Sequence, residues 1–495
     1  MLAYRWPIAL VVLFPFAGSI RGADLDAKKI ETLIDRALEE WQVPGIAVAI
    51  VDGEKILFLQ GRGVREKGKT EPVTPDTIFP LASCSKAFTT TLMAVLADDG
   101  KLEWDDPVRK HLKEFHLSDP LADGDVRLYD LVSHRTGVAA HDLLWYRAPW
   151  SQAEMVRRVG KLPLSKPFRT AMQYQSIMFI AAGRAAENAG GKPWAELVSE
   201  RLFVPLGMKS ASLQTPDALK MSDRASPHRM NKEGVLDVIP LYSMKEPNPA
   251  GSVNASARDL TAWLQLHLNE GMHGETRLVS AANLKMTHTP QIPIPMGDGD
   301  RHMHPFTQQM SYGMAWTIQD YRGELLVSHA GLIDGFRVHL TMIPKRKLAL
   351  AILCNLDQTR MNLALSNNLV DLLLEAPSKD WNDHYRKIVE AGQFAAKVKE
   401  GQLERSRRRN TQPSLPLENY AGTYEEPAYG TAKIILEKDE LILEWSTSRC
   451  KLEHFHFDTF RTRDALLGQW PIVFEVEGGK RVAAMSAIGM NFKRK

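Results

Sequence analysis

The break at Gln412-Pro413-Ser414-Leu415-Pro416 constrains the fold most, because the texture of the chain changes across it. Before it, segments of helical spacing and segments of strand alternation are interleaved. After it, from Tyr420 on, short strands follow one another, as in Lys433-Ile434-Ile435-Leu436, Leu441-Ile442-Leu443-Glu444-Trp445 and Val473-Phe474-Glu475-Val476, the last joined through Gly478-Gly479 to Arg481-Val482-Ala483-Ala484-Met485. A small all-β, barrel-like domain is therefore predicted over 416–495. The segment 376–415 reads as a helical linker from about Trp381 to Asn410, with a basic end at Arg405-Ser406-Arg407-Arg408-Arg409. Such a cluster suits the negative pole of a helix and is read as a solvated helix end.

Residues 24–375 carry a different pattern. Ile30, Leu33, Ile34 and Leu38 recur at helical spacing. Gly45–Val51 and Lys55–Gln60 flank Asp52-Gly53, a hairpin signal. A mixed, largely helical middle follows, then strands around Glu324–Val327, Phe336–Met342 and Leu348–Leu353, and a helix over Met361–Leu374. Helix, two strands, a helical insertion, three strands and a closing helix predict an α+β unit with an antiparallel sheet.

Composition excludes several functions. Lys and Arg total 62 against 59 Asp and Glu, a formal charge of +3, so there is no broad basic field and nucleic acid is excluded as a partner. Cys84, Cys354 and Cys450 are too few and scattered for a disulfide framework or a zinc site, and are read as free thiols. Arg5, the apolar run Pro7–Phe16 and the small residues up to Ala23 read as a signal peptide over 1–23. The run is about ten residues, against about 20 needed to cross a bilayer. The expected location is secreted or periplasmic, with no stable membrane span after cleavage.

Some apparent motifs fail on context and others do not occur. Gly63-Val64-Arg65-Glu66-Lys67-Gly68-Lys69-Thr70 has the spacing of a phosphate loop, but Pro72 and Pro75 exclude the helix that would aim N–H groups at phosphate. No serine stands in Gly-x-Ser-x-Gly, and His-Glu-x-x-His does not occur. His302-Met303-His304 and His454-Phe455-His456 lack a companion carboxylate set and are read as structural, so neither metal nor cofactor is expected.

The productive segment is Leu81–Gly100, which after Ser83 reads as one buried helix closing at Gly100. Lys86 lies three residues beyond Ser83 on the same face, so its amine can reach the Ser83 hydroxyl. A serine hydroxyl is a poor nucleophile until a neighbour removes its proton, and a desolvated lysine is neutral enough to help. Taken alone, Ser-x-x-Lys also fits an ordinary helix N-terminus. Gln173-Tyr174-Gln175-Ser176 precedes another helical stretch, Ile177–Gly190, and Ser328-His329-Ala330-Gly331-Leu332 runs along a strand towards Asp334-Gly335. Singly, Tyr174 fits a buried aromatic and His329 a structural strand histidine.

Together, in this order, Ser-x-x-Lys, Tyr-x-(Asn or Ser) and His-x-Gly resemble the serine β-lactamase and penicillin-binding-protein superfamily, in the branch of the class C β-lactamases, D-Ala-D-Ala carboxypeptidases and related esterases and D-aminopeptidases (peptidase family S12). Lys101–Val108, Leu131–Val138, Val204–Met208 and Pro249–Ser252 are similar to the same branch, and the likeness covers about 26–375. The resemblance implies a β-lactamase/transpeptidase-like sheet flanked by helices with a helical subdomain. It implies Ser83 as the acylated nucleophile, Lys86 as its activating amine, and Tyr174 as the general base that also protonates the leaving group. His329 would stand before the substrate strand, and the N–H groups of Ser83 and Leu332, beside Gly331, would form the oxyanion hole. Ser176 stands where the family usually has Asn and keeps one donor and one acceptor with less reach.

The expected activity is hydrolysis of D-amino-acid peptides or related amides and esters through an acyl-enzyme. An esterase or β-lactamase on the same site and a non-catalytic penicilloyl-binding sensor are the alternatives. The partner is a small-molecule or peptide substrate, and the sequence leaves the oligomeric state open. Leu417–Tyr424 onward resembles the lipocalin-like β domain appended to some members, with either a stabilising or a gating role.

Overall fold

The computed structural model describes residues 25–213, 220–464 and 467–495. The signal-peptide reading of 1–23 lies outside them. The first helix, α1 (Ala27–Trp41), starts where the Asp26 carboxylate accepts from the Lys29 N–H at 3.3 Å, and it buries Ile30, Ile34 and Ala37. The hairpin follows as β1 (Gly45–Asp52) and β2 (Ile56–Gly63). Its turn is longer than Asp52-Gly53 suggests, because Asp52 Oδ1 accepts from the N–H groups of both Glu54 (2.8 Å) and Lys55 (2.7 Å).

Strand β1 is buried on both faces. Ala47, Ala49 and Val51 point into one core while Ile46, Val48 and Ile50 point into the other, so the two-residue period of a single strand separates two hydrophobic layers. The second layer is closed by α1 and the helix Met361–Leu373. The first holds two largely buried helices, α2 (Ser85–Asp98) and α3 (Ser176–Gly190), together with α4 (Ala257–Leu268). Phe88 of α2 stacks on Trp263 of α4 with centroids 3.8 Å apart.

Among the described residues the main sheet has eight antiparallel strands rather than the five the sequence pattern predicts. Beyond β2 and β1 come Leu348–Cys354, Phe336–Ile343 and β3 (Glu324–Ile333), then three further strands, Thr317–Tyr321, Met310–Tyr312 and Ile292–Ile294. These three span only three to five residues, and Pro293 and Gly313 break their alternation. Strand β3 pairs with Thr317–Tyr321 only up to Ser328, so His329–Ile333 extends past that neighbour.

The last 74 residues from Gly422 contain an eight-stranded barrel closed by the pairs Tyr424↔Arg494 and Glu425↔Lys493. The α+β unit with its antiparallel sheet and the following β-barrel agree with the expected fold class. The linker helix, Trp381–Ser406, buries Trp381 and Tyr385 at its start. Its basic end differs from a purely solvated one, since Arg407 donates to the carbonyls of Phe455 (2.7 Å) and His454 (3.0 Å) on the barrel. The barrel also meets the α+β unit: Trp445 lies edge-on to Trp150, Arg158 donates to Ala428 O (2.6 Å), and Thr447 Oγ1 donates to Arg147 O (2.8 Å).

Candidate active site

Ser83 does not open α2 directly. It sits in a short 3-10 turn, Ala82–Cys84, after which α2 begins at Ser85. Ala82 is held at φ 48°, a left-handed conformation costly for a residue with a Cβ, and this strain sets the turn that presents the next hydroxyl. Ser83 is the one partly exposed residue between Leu81 and Leu96. Lys86 is fully buried one step into α2, and its Nζ donates to Ser83 Oγ at 3.1 Å, to Ala250 O at 3.0 Å and to Ser176 Oγ at 3.4 Å. All three acceptors are neutral. Burial therefore dominates and pushes the amine down to about 7, with the Asp142 carboxylate partly opposing.

The carbonyl that Lys86 needs is fixed by the loop Pro249–Val253. Thr89 Oγ1 donates to Pro249 O at 2.7 Å, and Val253 N donates to Ser85 Oγ at 2.9 Å, so both ends of the loop are pinned to α2. Gly183 lets the loop close on α3, because a Cβ there would lie 2.2 Å from Pro249 Cγ.

Tyr174 and Ser176 flank Gln175, whose side chain accepts from Ile177 N at 2.9 Å and caps α3. The Tyr174 ring lies 4.8 Å from Lys86 Nζ. Burial raises its phenol above the ordinary value, and a hydrogen bond with Ser83 acts in the opposite direction. The phenol thus keeps its proton at neutral pH.

On the other side, His329 Nε2 and Tyr312 OH are 3.1 Å apart, and burial followed by the Lys86 charge pulls His329 down to about 3. Gly331 brings β3 against the turn that carries Ser83: a Cβ there would meet Leu81 O at 2.1 Å. Leu332 is exposed and pairs with Arg337 in the ladder. The geometry thus gathers Ser83, Lys86, Tyr174 and Ser176 around one amine, and His329 and Gly331 on the strand beside them.

Sequence reasoning missed four contributors. His134, at φ 58°, packs its ring 4.2 Å from that of Tyr174 and accepts from Gln175 N at 3.1 Å. Burial holds it neutral, far below the ordinary histidine value. Tyr312 comes from a three-residue strand one in from the sheet edge, and Ala250 contributes its carbonyl. Asp142 is exposed, with its carboxylate oriented by Trp145 Nε1 at 2.8 Å. His134 and Ala250 had a signal, since they fall inside the family-like stretches Leu131–Val138 and Pro249–Ser252, whereas Tyr312 and Asp142 had none.

A buried lysine between two serine hydroxyls, beside a protonated phenol and a strand held close by a glycine, is a site for acyl transfer to serine. Among the described residues no cluster of His, Cys, Asp and Glu is arranged to hold a metal ion.

The profile of the family described as Beta-lactamase matches residues 30–374, and that of a domain of unknown function, DUF3471, matches 406–494. The chain belongs to the beta-lactamase family and is a serine hydrolase. It is 29% identical over 441 residues to the unguisins hydrolase of Aspergillus campestris, covering 85% of this chain and 80% of that protein. In fold it is similar to the octameric penicillin-binding protein homologue from Pyrococcus abyssi, with TM-score 0.64 and 21% identity over 94% of this chain and 99% of that one. It is also similar to the D-amino acid amidase of Ochrobactrum anthropi SV3, with TM-score 0.59 and 22% identity over 71% of this chain and 98% of that one.

Proposed function

We propose that the chain hydrolyses amide bonds of D-amino-acid peptides or amides through an acyl-enzyme on Ser83. The observation that carries this reading is the buried Lys86 amine, 3.1 Å from Ser83 Oγ and brought down to about 7. Near neutral pH a large share of Lys86 is an unprotonated amine, whereas Tyr174 remains a phenol. Lys86 Nζ therefore takes the Ser83 proton as Oγ bonds to the carbonyl carbon. Tyr174 gives its proton to the departing nitrogen as the C–N bond breaks, and recovers one from the Lys86 ammonium. Water then attacks the ester carbonyl, gives up a proton to the same relay, and releases Ser83 and the acid. In this scheme Tyr174 acts first as acid, and Lys86 is the initial base.

The N–H groups of Ser83 and Leu332 are assigned to the carbonyl oxygen, a role favoured by the close approach that Gly331 permits. The substrate class is supported by the likeness to a D-amino acid amidase and a hydrolase named for unguisins. An ester substrate is the second reading, favoured by Ser176. Its short hydroxyl is spent near Lys86 at 3.4 Å and offers no side-chain amide to a β-lactam or peptide.

The test is hydrolysis of D- and L-phenylalanine amide by the purified protein, followed by product chromatography. The proposal expects kcat/KM for the D form to exceed that for the L form by at least about tenfold. Equal rates, or cleavage of esters alone, would remove the D-amide assignment and leave the acyl-enzyme standing.

A further inference from the structure

A recess of about 390 Å³ lies on the seam between the two regions, bounded by Trp145–Met155, Pro240–Asn248 and Thr447 of the barrel. Trp145, Trp150 and Tyr242 supply flat apolar walls, and Met155 and Met244 supply adaptable ones. The walls are fixed in place. Gln152 donates from Nε2 to Pro247 O at 2.6 Å, its N–H donates to Glu246 Oε1 at 2.9 Å, and Tyr242 OH accepts from Arg147 N at 3.1 Å. The Arg147 guanidinium is committed to Asp334 at 2.8 Å, so it does not project a free charge into the space.

One wall of the recess, at Met244, approaches the turn that carries Ser83. A Cβ placed on Gly251 would lie 3.3 Å from Met244 Cε and 4.0 Å from the carbonyl carbon of Ala82, the residue before Ser83. A single glycine thus separates the recess lining from the turn that presents the hydroxyl. The adjacent Ala250 carbonyl holds Lys86.

We infer that this recess is the subsite for a large apolar or aromatic side chain of the acylating residue, and that the barrel, through Thr447, forms its outer wall. A volume of this size suits one bulky side chain with neighbouring backbone, and the aromatic and thioether walls offer it apolar contact, with Lys245 and Glu246 also on the lining. The barrel is then part of substrate choice. Thr447 Oγ1 holds Arg147 O at 2.8 Å, while Trp445 packs edge-on to Trp150 with centroids 6.3 Å apart, so the wall and the loop it contacts are positioned together. The inference rests on the acyl-enzyme reading above.

The test uses the full chain with p-nitrophenyl esters of N-acetyl-D-phenylalanine and of acetic acid, the second having no side chain to seat. Thr447→Trp fills the recess from the barrel, and Ser243→Trp fills it from the opposite segment. In each variant the ratio of kcat/KM for the phenylalanyl ester to that for the acetate should fall at least about tenfold, the scale set by a pocket that loses fit. Labelling of Ser83 by a fluorophosphonate reports a folded site in both. A ratio unchanged in both labelled variants would overturn the subsite. Failure of wild-type Ser83 to label would instead overturn the acyl-enzyme reading beneath it.

Discussion

In the catalytic region Lys86, His134, Tyr312 and His329 are buried together around a partly exposed hydroxyl, whereas the barrel interior is filled by Tyr420, Tyr424, Phe460, Phe474 and Phe492. The barrel's buried hydroxyl on Tyr424 simply donates to Tyr420 O at 2.7 Å. In the catalytic region, His134 Nε2 and His329 Nδ1 are buried without a hydrogen-bond partner among the described residues. Burying unpaired polar groups opposes folding, so these two ring nitrogens beside Ser83 are held at a cost in stability. The same desolvation that disfavours these groups makes Lys86 a base near neutral pH. Among the described residues the barrel buries no lysine or histidine, and it meets the α+β unit along the seam.

That contrast can be broken most decisively at the nucleophile. Ser83→Ala should lower ester and amide turnover by roughly four orders of magnitude or more while the protein remains folded, since removing an acylated serine costs several kcal/mol of barrier. Retention of substantial turnover would place the chemistry elsewhere. Next in size is Gly331→Ala. Its Cβ would press on the Leu81 carbonyl at 2.1 Å and shift the turn that carries Ser83, so kcat/KM should fall by about 100-fold with a much smaller change in far-UV circular dichroism. An active alanine variant would mean that the strand does not need its close approach.

The smallest effect belongs to the barrel. Tyr429 OH and His141 Nδ1 are 2.9 Å apart across the seam, on a turn that Glu426 Oε2 fixes by accepting from Ala428 N (2.7 Å) and Tyr429 N (2.5 Å). Tyr429→Phe removes one neutral hydrogen bond, about 1 kcal/mol of stability. Turnover of small esters should change by no more than about threefold. A loss as large as that of Gly331→Ala would show that the barrel acts on the chemistry itself, and the contrast between the regions would then fail.

The sequence pattern made the long elements legible for plain physical reasons. The stretch from Ala87 to Leu96 carries no charge and closes at Gly100, which reads as a buried helix, and seven-residue or longer strands such as Phe336–Ile343 carry enough alternation to be seen. The strand bearing Tyr312 is three residues long and ends at Gly313, so the pattern has no room to declare itself and its contact with His329 went unseen. Spacing places Lys86 beneath Ser83, because three residues on a helical turn fix that geometry. It says nothing of the Ala250 carbonyl, which reaches Lys86 from 164 residues away, nor of Tyr429, which reaches His141 across the seam. Those contacts are set by tertiary packing. The basic end of the linker shows the same limit, since Arg407 finds barrel carbonyls that only the folded barrel brings to it.

The central claim is that Ser83 is activated by an amine that burial has brought near neutrality. The direct measurement is the rate of fluorophosphonate adduct formation, located by peptide mass spectrometry and followed from pH 5 to 10. A base must be unprotonated to accept a proton, so the rate should rise about tenfold per pH unit on the acid side and level off above a midpoint near 7, with the adduct on Ser83. His329 at about 3 and the neutral His134 do not titrate in that window, which leaves the midpoint to Lys86. A midpoint close to the ordinary lysine value, or an adduct on Ser85, would contradict the account.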